Sequence, residues 1–262
     1  MRTYLAYFVI SFRNNTVYRI QYLIGLLNTC LQIFISCMIW KALYGGAQEV
    51  NGITYAMVVT NFIISQGLGS TFAINDFAIQ HKLWDGSIAM ELLKPIDLRI
   101  VMIMQNLGNI TFNILTNFLP ALIIAIFAFP ILPPAGVAEF ILFLLSIILG
   151  FLILWAISTI VQMSAFWIIN VWSVSTIKNV VIGVLAGSSL PLWFMPGFMM
   201  KIIEFTPFDA IYYMPVRIYL GQIGMNEIMS CYVKQIGWFV VLFAIGQFLW
   251  AKGKKRIIVQ GG

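Results

Sequence analysis

Long, continuous apolar segments alternate with short polar segments along this chain. A helix needs about 20 apolar residues to cross about 30 Å of hydrocarbon, and several segments reach or exceed that length. Their hydrophobicity is continuous, whereas the strands of a membrane barrel alternate between apolar and polar positions. The pattern therefore predicts an all-α integral membrane protein. Six spans are expected, over residues 20–44, 53–74, 100–129, 138–162, a fifth beginning within 164–179, and 228–250.

Composition supports a chain that is mostly solvated by lipid. Hydrophobic residues make up 61% of the sequence and charged residues 9%, whereas a soluble domain carries about 25% charged residues. The three cysteines, Cys30, Cys37 and Cys231, lie in apolar segments, which favours packing over a disulfide framework. The net charge of +6 resides mainly at the termini and in one polar loop. That placement fits membrane lipid better than nucleic acid.

The N-terminal segment, residues 1–15, is too interrupted to span a membrane. One face of a helix there would carry the apolar side chains Tyr4, Leu5, Phe8, Val9 and Phe12. We expect an interfacial amphipathic helix that lies on the membrane. Since no small-residue cleavage site follows it, we expect this helix to be retained.

The longest polar insertion covers residues 75–99. A charge at the bilayer centre costs about 2.5–3.5 kcal/mol on insertion scales, so this loop is expected to lie in water. Asp85, Gly86 and Ser87 supply N-cap chemistry, and Pro95 supplies a stop. A helix of about two turns is therefore predicted between them.

This short helix is expected to present the apolar side chains Ile88, Met90, Leu92 and Leu93, with Glu91 among them. Such a surface is unfavourable in water, and the groove of a soluble partner would cover it. The alternative is that it lies against the bilayer or the chain's own helices. Candidate contacts for the partner are His81, Lys82, Trp84, Asp85, Gly86, Ser87, Ile88, Met90, Glu91 and Leu92.

Polar residues recur at helical spacing inside two of the predicted spans. The first span carries Gln21, Asn28 and Gln32, and the third carries Asn106, Asn109, Asn113 and Asn117. Both rows lie on one helical face. They are explained either by hydrogen bonds between helices, worth about 0.6 kcal/mol each, or by the wall of a transport pathway. Pro120 is predicted to kink the third span.

Prolines interrupt the sequence over residues 190–227. The apolar pieces between them are too short to cross, and irregular backbone at membrane depth must be buried or line a wet cavity. We predict short re-entrant or interfacial helices on the outer side, marked by Trp193, Phe194, Pro196, Phe208 and Pro215. Just before them, Gly183 and Gly187 form a small-xxx-small pair suited to close helix contact.

Basic residues predict the orientation. Eleven of the fifteen Lys and Arg residues lie in residues 1–19, the 75–99 loop, the 163–179 turn and the tail. The positive-inside rule then places both termini and the loop in the cytoplasm.

Catalytic chemistry is not indicated. The sequence contains no Gly-x-x-x-x-Gly-Lys-Ser/Thr phosphate loop, so ATP is not expected to bind by that route. His81 is the one histidine and no Cys/His cluster occurs, so no metal site is predicted. Mid-span acidic residues and paired catalytic groups are also missing, which argues against a proton relay and an intramembrane enzyme.

Several motifs occur in a specific order. They are Tyr18-Arg19 after the N-terminal helix, Gly86-x-x-x-x-Glu91-Leu92-Leu93-x-Pro95 after the second span, Pro191-x-Trp193-Phe194-x-Pro196, Thr206-Pro207-Phe208, Pro215 and Gly221 before the last span, and Gly253-Lys254 with Gly261-Gly262 in the tail. This order resembles the permease subunits of ABC transporters of the type-2 export class, in the small six-span branch of about 260 residues.

The resemblance implies a dimer of permeases, identical or related, on two separate ATPase subunits that hold ATP and Mg²⁺, with no cofactor in this chain. Residues 85–93 would form the coupling helix, and residues 191–221 the outer re-entrant helices. The leading hypothesis is an exporter of an amphipathic or hydrophobic substrate, such as a drug, a peptide or a lipid- or glycan-like molecule, in a prokaryotic cytoplasmic membrane. The alternative is a passive channel or an energy-independent membrane scaffold, although the ring of charges expected in a channel is not seen.

Overall fold

A computed structural model describes residues 2–17 and 19–256. Tyr18 and the Gly261-Gly262 pair of the tail motif lie outside the described residues. The helices are α1 (Arg2–Val17), α2 (Arg19–Tyr44), α3 (Tyr55–Thr71), α4 (Ala78–Trp84), α5 (Ser87–Leu93), α6 (Leu98–Asn113), α7 (Leu119–Ala128), α8 (Val137–Ser164), α9 (Trp172–Leu185), α10 (Gly197–Glu204), α11 (Tyr213–Tyr219) and α12 (Met225–Lys254). Two short antiparallel strands, β1 (Glu49–Val50) and β2 (Ile53–Thr54), pair between α2 and α3. The all-α prediction is confirmed for the described part of the chain.

Among the described residues, four helical segments are long and apolar enough to cross a membrane. They are Ile20–Tyr44, Leu98–Ala128, Val137–Ser164 and Met225–Lys254. The predicted second and fifth spans correspond to α3, with 17 residues, and α9, with 14 residues. At 1.5 Å per residue these helices rise about 26 Å and 21 Å, less than the hydrocarbon thickness. Four of the six predicted spans therefore reach spanning length as single helices.

The third span contains a π-helical turn over Ile114–Phe118, between α6 and α7, and the kink at Pro120 remains a prediction. Pro120 follows directly, at the start of α7. In a regular helix the proline ring would collide with the carbonyl of Thr116, four residues earlier. The wider turn, in which the Leu119 amide donates to the Ile114 carbonyl, accommodates the proline within a continuous helix.

Helix α1 packs along α6. Gly108 of α6 permits this contact, because a Cβ at that position would lie 2.5 Å from the Phe8 carbonyl oxygen. The Ser11 hydroxyl faces α6, whereas Leu5 and Val9 are exposed. Leu5 and Val9 therefore remain available to face lipid, as the predicted interfacial helix requires. The location of α1 at the membrane surface remains a prediction.

The main core surrounds α8, which packs extensively against α12 and α11. The buried side chains of this core include Phe151 and Ile153 of α8, and Ile211, Val216 and Ile218. Close packing here also depends on a glycine, since a Cβ on Gly150 would lie 2.5 Å from the Ile211 carbonyl oxygen.

The predicted Gly183–Gly187 helix contact is wrong. Helix α9 ends at Leu185, and Gly187 adopts a φ of +84° beyond it. Its left-handed backbone reverses the chain, and its carbonyl accepts a hydrogen bond from the Asn61 amide at 3.2 Å. Gly187 therefore acts as a helix terminator.

Candidate functional site

The loop at residues 75–99 folds into a helical hairpin. Helix α5 confirms the predicted two-turn helix, and it ends before Pro95, as expected. Helix α4, which precedes it, was not predicted. The two are joined through Gly86, whose φ of +72° favours glycine. The Asp85 carboxylate accepts a hydrogen bond from the Ser87 amide at 2.9 Å, and its bonds to Ser87 lower the pKa of Asp85.

One face of the hairpin is anchored to the ends of the long helices. Ile79 and Ile88 are buried in a cluster with Leu98, Met163 of α8 and Trp250 of α12. Ile88 is only 2% exposed, so the prediction that it faces a partner is wrong. This side chain instead packs α5 against the long helices, which agrees with the alternative that it lies against the chain's own helices.

The opposite face of the hairpin is apolar and exposed. Trp84, Met90 and Leu93 are 60%, 69% and 81% exposed, and Leu92 is also exposed. We call these four residues the exposed loop face. His81 is exposed next to it, with its ring 6.1 Å from the ring of Trp84.

Charged side chains tie the hairpin together. Glu91 of α5 accepts from Lys82 of α4 at 3.2 Å and lies 3.5 Å from Lys94. After the hairpin, hydrogen bonds from Arg99 lower the pKa of Asp97. Arg99 also donates to Gln247 of α12. The loop is thus linked by ion pairs within itself and by a hydrogen bond to the last helix.

A buried ion pair anchors the start of the loop to α9. Lys178 lies 2.7 Å from the Oδ2 atom of Asp76, which also accepts from the Ser175 hydroxyl at 2.5 Å. Gln80 adds a second link, accepting from the Val171 amide at 2.6 Å. Sequence reasoning missed these contacts. The available signal was that Lys178 is the single cation of the 163–179 turn.

A cavity of about 340 Å³ adjoins this ion pair, between α3 and α9. We call it the α3–α9 cavity. Its lining includes the exposed residues Asn75 and Asn179 and the buried residues Asp76 and Tyr212. Its volume lies at the lower end of the range of about 300–1,000 Å³ that is typical of small-molecule sites.

The asparagine row of the third span divides between two surroundings. Asn109 accepts hydrogen bonds from the Ser11 hydroxyl at 2.8 Å and the Asn15 amide at 2.6 Å, so it joins α6 to α1. Asn113 and Asn117 instead line a second cavity of about 260 Å³, together with Gln21 of α2. We call this the amide cavity. Asn106 is buried and does not line it.

Asn117 leaves one polar atom without a partner. Its amide nitrogen donates to Asn113 at 3.4 Å, but its buried Oδ1 atom accepts no hydrogen bond from the described residues. Asn28 and Gln32 of α2 are exposed outside this cavity, with their amides 3.5 Å apart. Of these three residues of the first polar row, Gln21 lines the amide cavity and Asn28 and Gln32 do not.

The proline-rich region consists of short pieces, as predicted. Phe194 stacks on Trp40 of α2 with ring centroids 4.8 Å apart, and Trp193 donates to Gln222 at 3.2 Å. Pro196 precedes α10, while Pro215 is buried within α11 and Phe208 packs against the main core. These contacts join the region to α2 and to the core.

Within the described residues, no group of three or more His, Cys, Asp or Glu side chains is arranged to hold a metal ion. The sequence model of one protein family, described as ABC-2 family transporter protein, matches residues 26–261. No curated protein matches the chain.

Proposed function

This chain belongs to the ABC-2 transporter family, and on that premise we propose that it is the permease subunit of an ABC exporter driven by a separate ATPase. The family is one of multi-pass membrane transport subunits and not of catalytic proteins. The coupling to an ATPase, the direction of transport and the substrate are parts of the proposal. The exposed loop face is the observation that carries it.

The exposed loop face is suited to an ATPase groove. Trp84, Met90 and Leu93 project from two short helices whose other side is anchored, so the apolar surface has no cover from the described chain. Apolar patches of this kind, with charges at their edge, are typical of docking sites. Lys82 and Glu91 would set register and association rate, while the apolar residues supply affinity.

The anchoring contacts provide a route for transmission. Ile79 and Ile88 fasten the hairpin to α8 and α12, and the Asp76–Lys178 pair fastens it to α9. Closure of two ATPases on ATP and Mg²⁺ would displace the hairpin, and with it these three helices. We propose that this displacement switches the permease between inward-open and outward-open states.

A second permease chain, identical or related, completes the proposed assembly. Helix α2 exposes apolar side chains along most of its length, and with them the amides of Asn28 and Gln32. Amide groups facing lipid find few partners, whereas amides between membrane helices hydrogen-bond across the contact. The proposal places six crossings per chain, both termini in the cytoplasm, and an amphipathic or hydrophobic cargo in a prokaryotic cytoplasmic membrane.

Co-purification of the ATPase tests the proposal. The full chain is expressed with the ATPase of its own operon or genome neighbourhood, and the complex is isolated and reconstituted in vesicles. Leu93→Asp is expected to abolish ATPase retention and ATP-dependent transport. Ile202→Asp is the matched control, since Ile202 of α10 is 62% exposed at a distance from the loop in sequence and is expected to retain both.

Two results would contradict the proposal. One is transport of cargo by the isolated chain without ATP, as a passive channel would show. The other is full ATPase retention by Leu93→Asp together with unchanged transport.

A further inference from the structure

Asp76, which lines the α3–α9 cavity, carries a buried hydrogen-bond acceptor without a partner among the described residues. Asp76 is 3% exposed, and its Oδ2 atom receives both Lys178 and Ser175. Its Oδ1 atom is buried and accepts no hydrogen bond from the described residues. A buried acceptor without a hydrogen bond costs free energy, so binding of a hydrogen-bond donor in the cavity would be favoured.

Lys178 supplies a complementary donor beside this acceptor. An ammonium group has three N–H donors. Two are directed to Asp76 at 2.7 Å and to the Ser158 hydroxyl at 3.1 Å. Lys178 therefore retains one N–H donor and Asp76 one carboxylate acceptor, on two residues that both line the cavity.

The charge balance selects among possible ligands. Asp76 and Lys178 neutralise each other, so the pair has no net charge to attract an ion. An ammonium or a carboxylate entering this buried site would add an uncompensated charge, which is unfavourable in low dielectric. A hydroxyl group is neutral, and it both donates and accepts a hydrogen bond.

From this geometry we propose that the α3–α9 cavity binds a neutral, hydroxyl-bearing head group of the transported substrate, through Asp76 and Lys178. The inference rests on the proposed function, because it assigns a substrate class to that permease. Asp76 begins the 75–99 loop, so an occupied cavity lies directly against the element that docks the ATPase.

Gly69 gives a way to fill the cavity without touching the ion pair. A Cβ at this position would lie 3.8 Å from the Tyr212 hydroxyl, which is an ordinary contact. Gly69→Ala should therefore fold normally, and Gly69→Leu extends a larger side chain into the same space. Gly237→Leu is the matched control, because a Cβ on Gly237 of α12 meets nothing within 4 Å.

The test measures equilibrium binding of tritium-labelled hexyl glucoside to the full chain in lipid nanodiscs, without ATP. A comparison amphiphile carries the same hexyl tail on a methyl-capped triethylene glycol head, which accepts hydrogen bonds and donates none. We expect saturable glucoside binding that the comparison amphiphile does not displace. Gly69→Leu should weaken it about tenfold or more, the loss expected when a hydrogen-bonded contact is excluded. Gly69→Ala should give a smaller loss and Gly237→Leu none.

Three results would overturn the inference: no saturable glucoside binding, equal binding of the two amphiphiles, or unchanged affinity in both Gly69 variants. Because the assay needs neither ATP nor an ATPase, it is independent of ATPase retention. A chain that binds glucoside but fails to retain an ATPase would refute the proposed function, and the converse would refute only this inference.

Discussion

Lys178 of α9 and Asp76 at the start of the 75–99 loop form an ion pair, 2.7 Å apart and largely shielded from solvent. The two residues are 102 positions apart in the chain. This contact ties the proposed ATPase-docking hairpin to a short apolar helix, and it borders the α3–α9 cavity. It is therefore the most informative single contact to break.

Lys178→Met is expected to lower the free energy of unfolding by about 3–5 kcal/mol, since it leaves a buried carboxylate without its partner. The double variant Asp76→Asn with Lys178→Met should recover most of that loss, because it removes the stranded charge. Denaturant titration in detergent measures the effect. Lys201→Met, at an exposed residue of α10, is the control. An equal loss of stability in Lys178→Met and Lys201→Met would show that the ion pair does not contribute to the free energy of unfolding.

Glu91→Arg is expected to reduce ATP-driven transport strongly while changing stability by about 1 kcal/mol, because ion pairs that remain partly open to solvent contribute little to folding. The new arginine would face Lys82 and Lys94, which now contact Glu91. Exchange of the pair, Lys82→Glu with Glu91→Lys, should restore part of the transport. Vesicle transport and a thermal melt are measured on the same preparations. Unimpaired transport in Glu91→Arg would show that Glu91 does not take part in coupling to the ATPase.

Asn117→Leu and Asn109→Leu together distinguish a transport pathway from helix packing. Asn109→Leu breaks two hydrogen bonds to α1, so it should destabilise the protein by about 1–3 kcal/mol. Asn117→Leu removes a buried oxygen without a partner among the described residues and one long hydrogen bond of 3.4 Å to Asn113, so the loss of stability should be smaller than for Asn109→Leu. If the amide cavity lies on the pathway, transport nevertheless falls in Asn117→Leu. Normal transport by Asn117→Leu would show that the asparagine row of the third span acts in helix packing alone.

Gly108→Val is expected to detach α1 from α6. Its Cβ would lie 2.5 Å from the Phe8 carbonyl oxygen, a backbone atom that cannot move without shifting the helix. Such overpacking costs about 1–3 kcal/mol, and it should expose α1 to limited proteolysis. The same substitution at Gly237, where an added Cβ meets nothing within 4 Å, should leave the cleavage rate unchanged. If α1 in Gly108→Val is as resistant to proteolysis as in the wild type, the close contact between α1 and α6 at Gly108 is contradicted.

The sequence predicted the elements whose signals are local. Asp85, Gly86 and Pro95 marked the bounds of α5, and Pro120 lies beside the π-helical turn of the third span. Caps, prolines and apolar length act through the nearest few residues, so they can be recognised in one dimension. The asparagine row was found as well, but its separation between α1 and the amide cavity was not.

The amino-acid sequence by itself determined that this is a helical membrane protein with a polar loop between apolar helices, because hydrophobic length and continuity are properties of the chain alone. Only the tertiary structure decided that Ile88 faces inward while Met90 and Leu93 remain exposed, since that depends on where α8 and α12 end. It likewise decided that Asp76 pairs with Lys178, because the energy of a buried charge depends on partners that folding brings near.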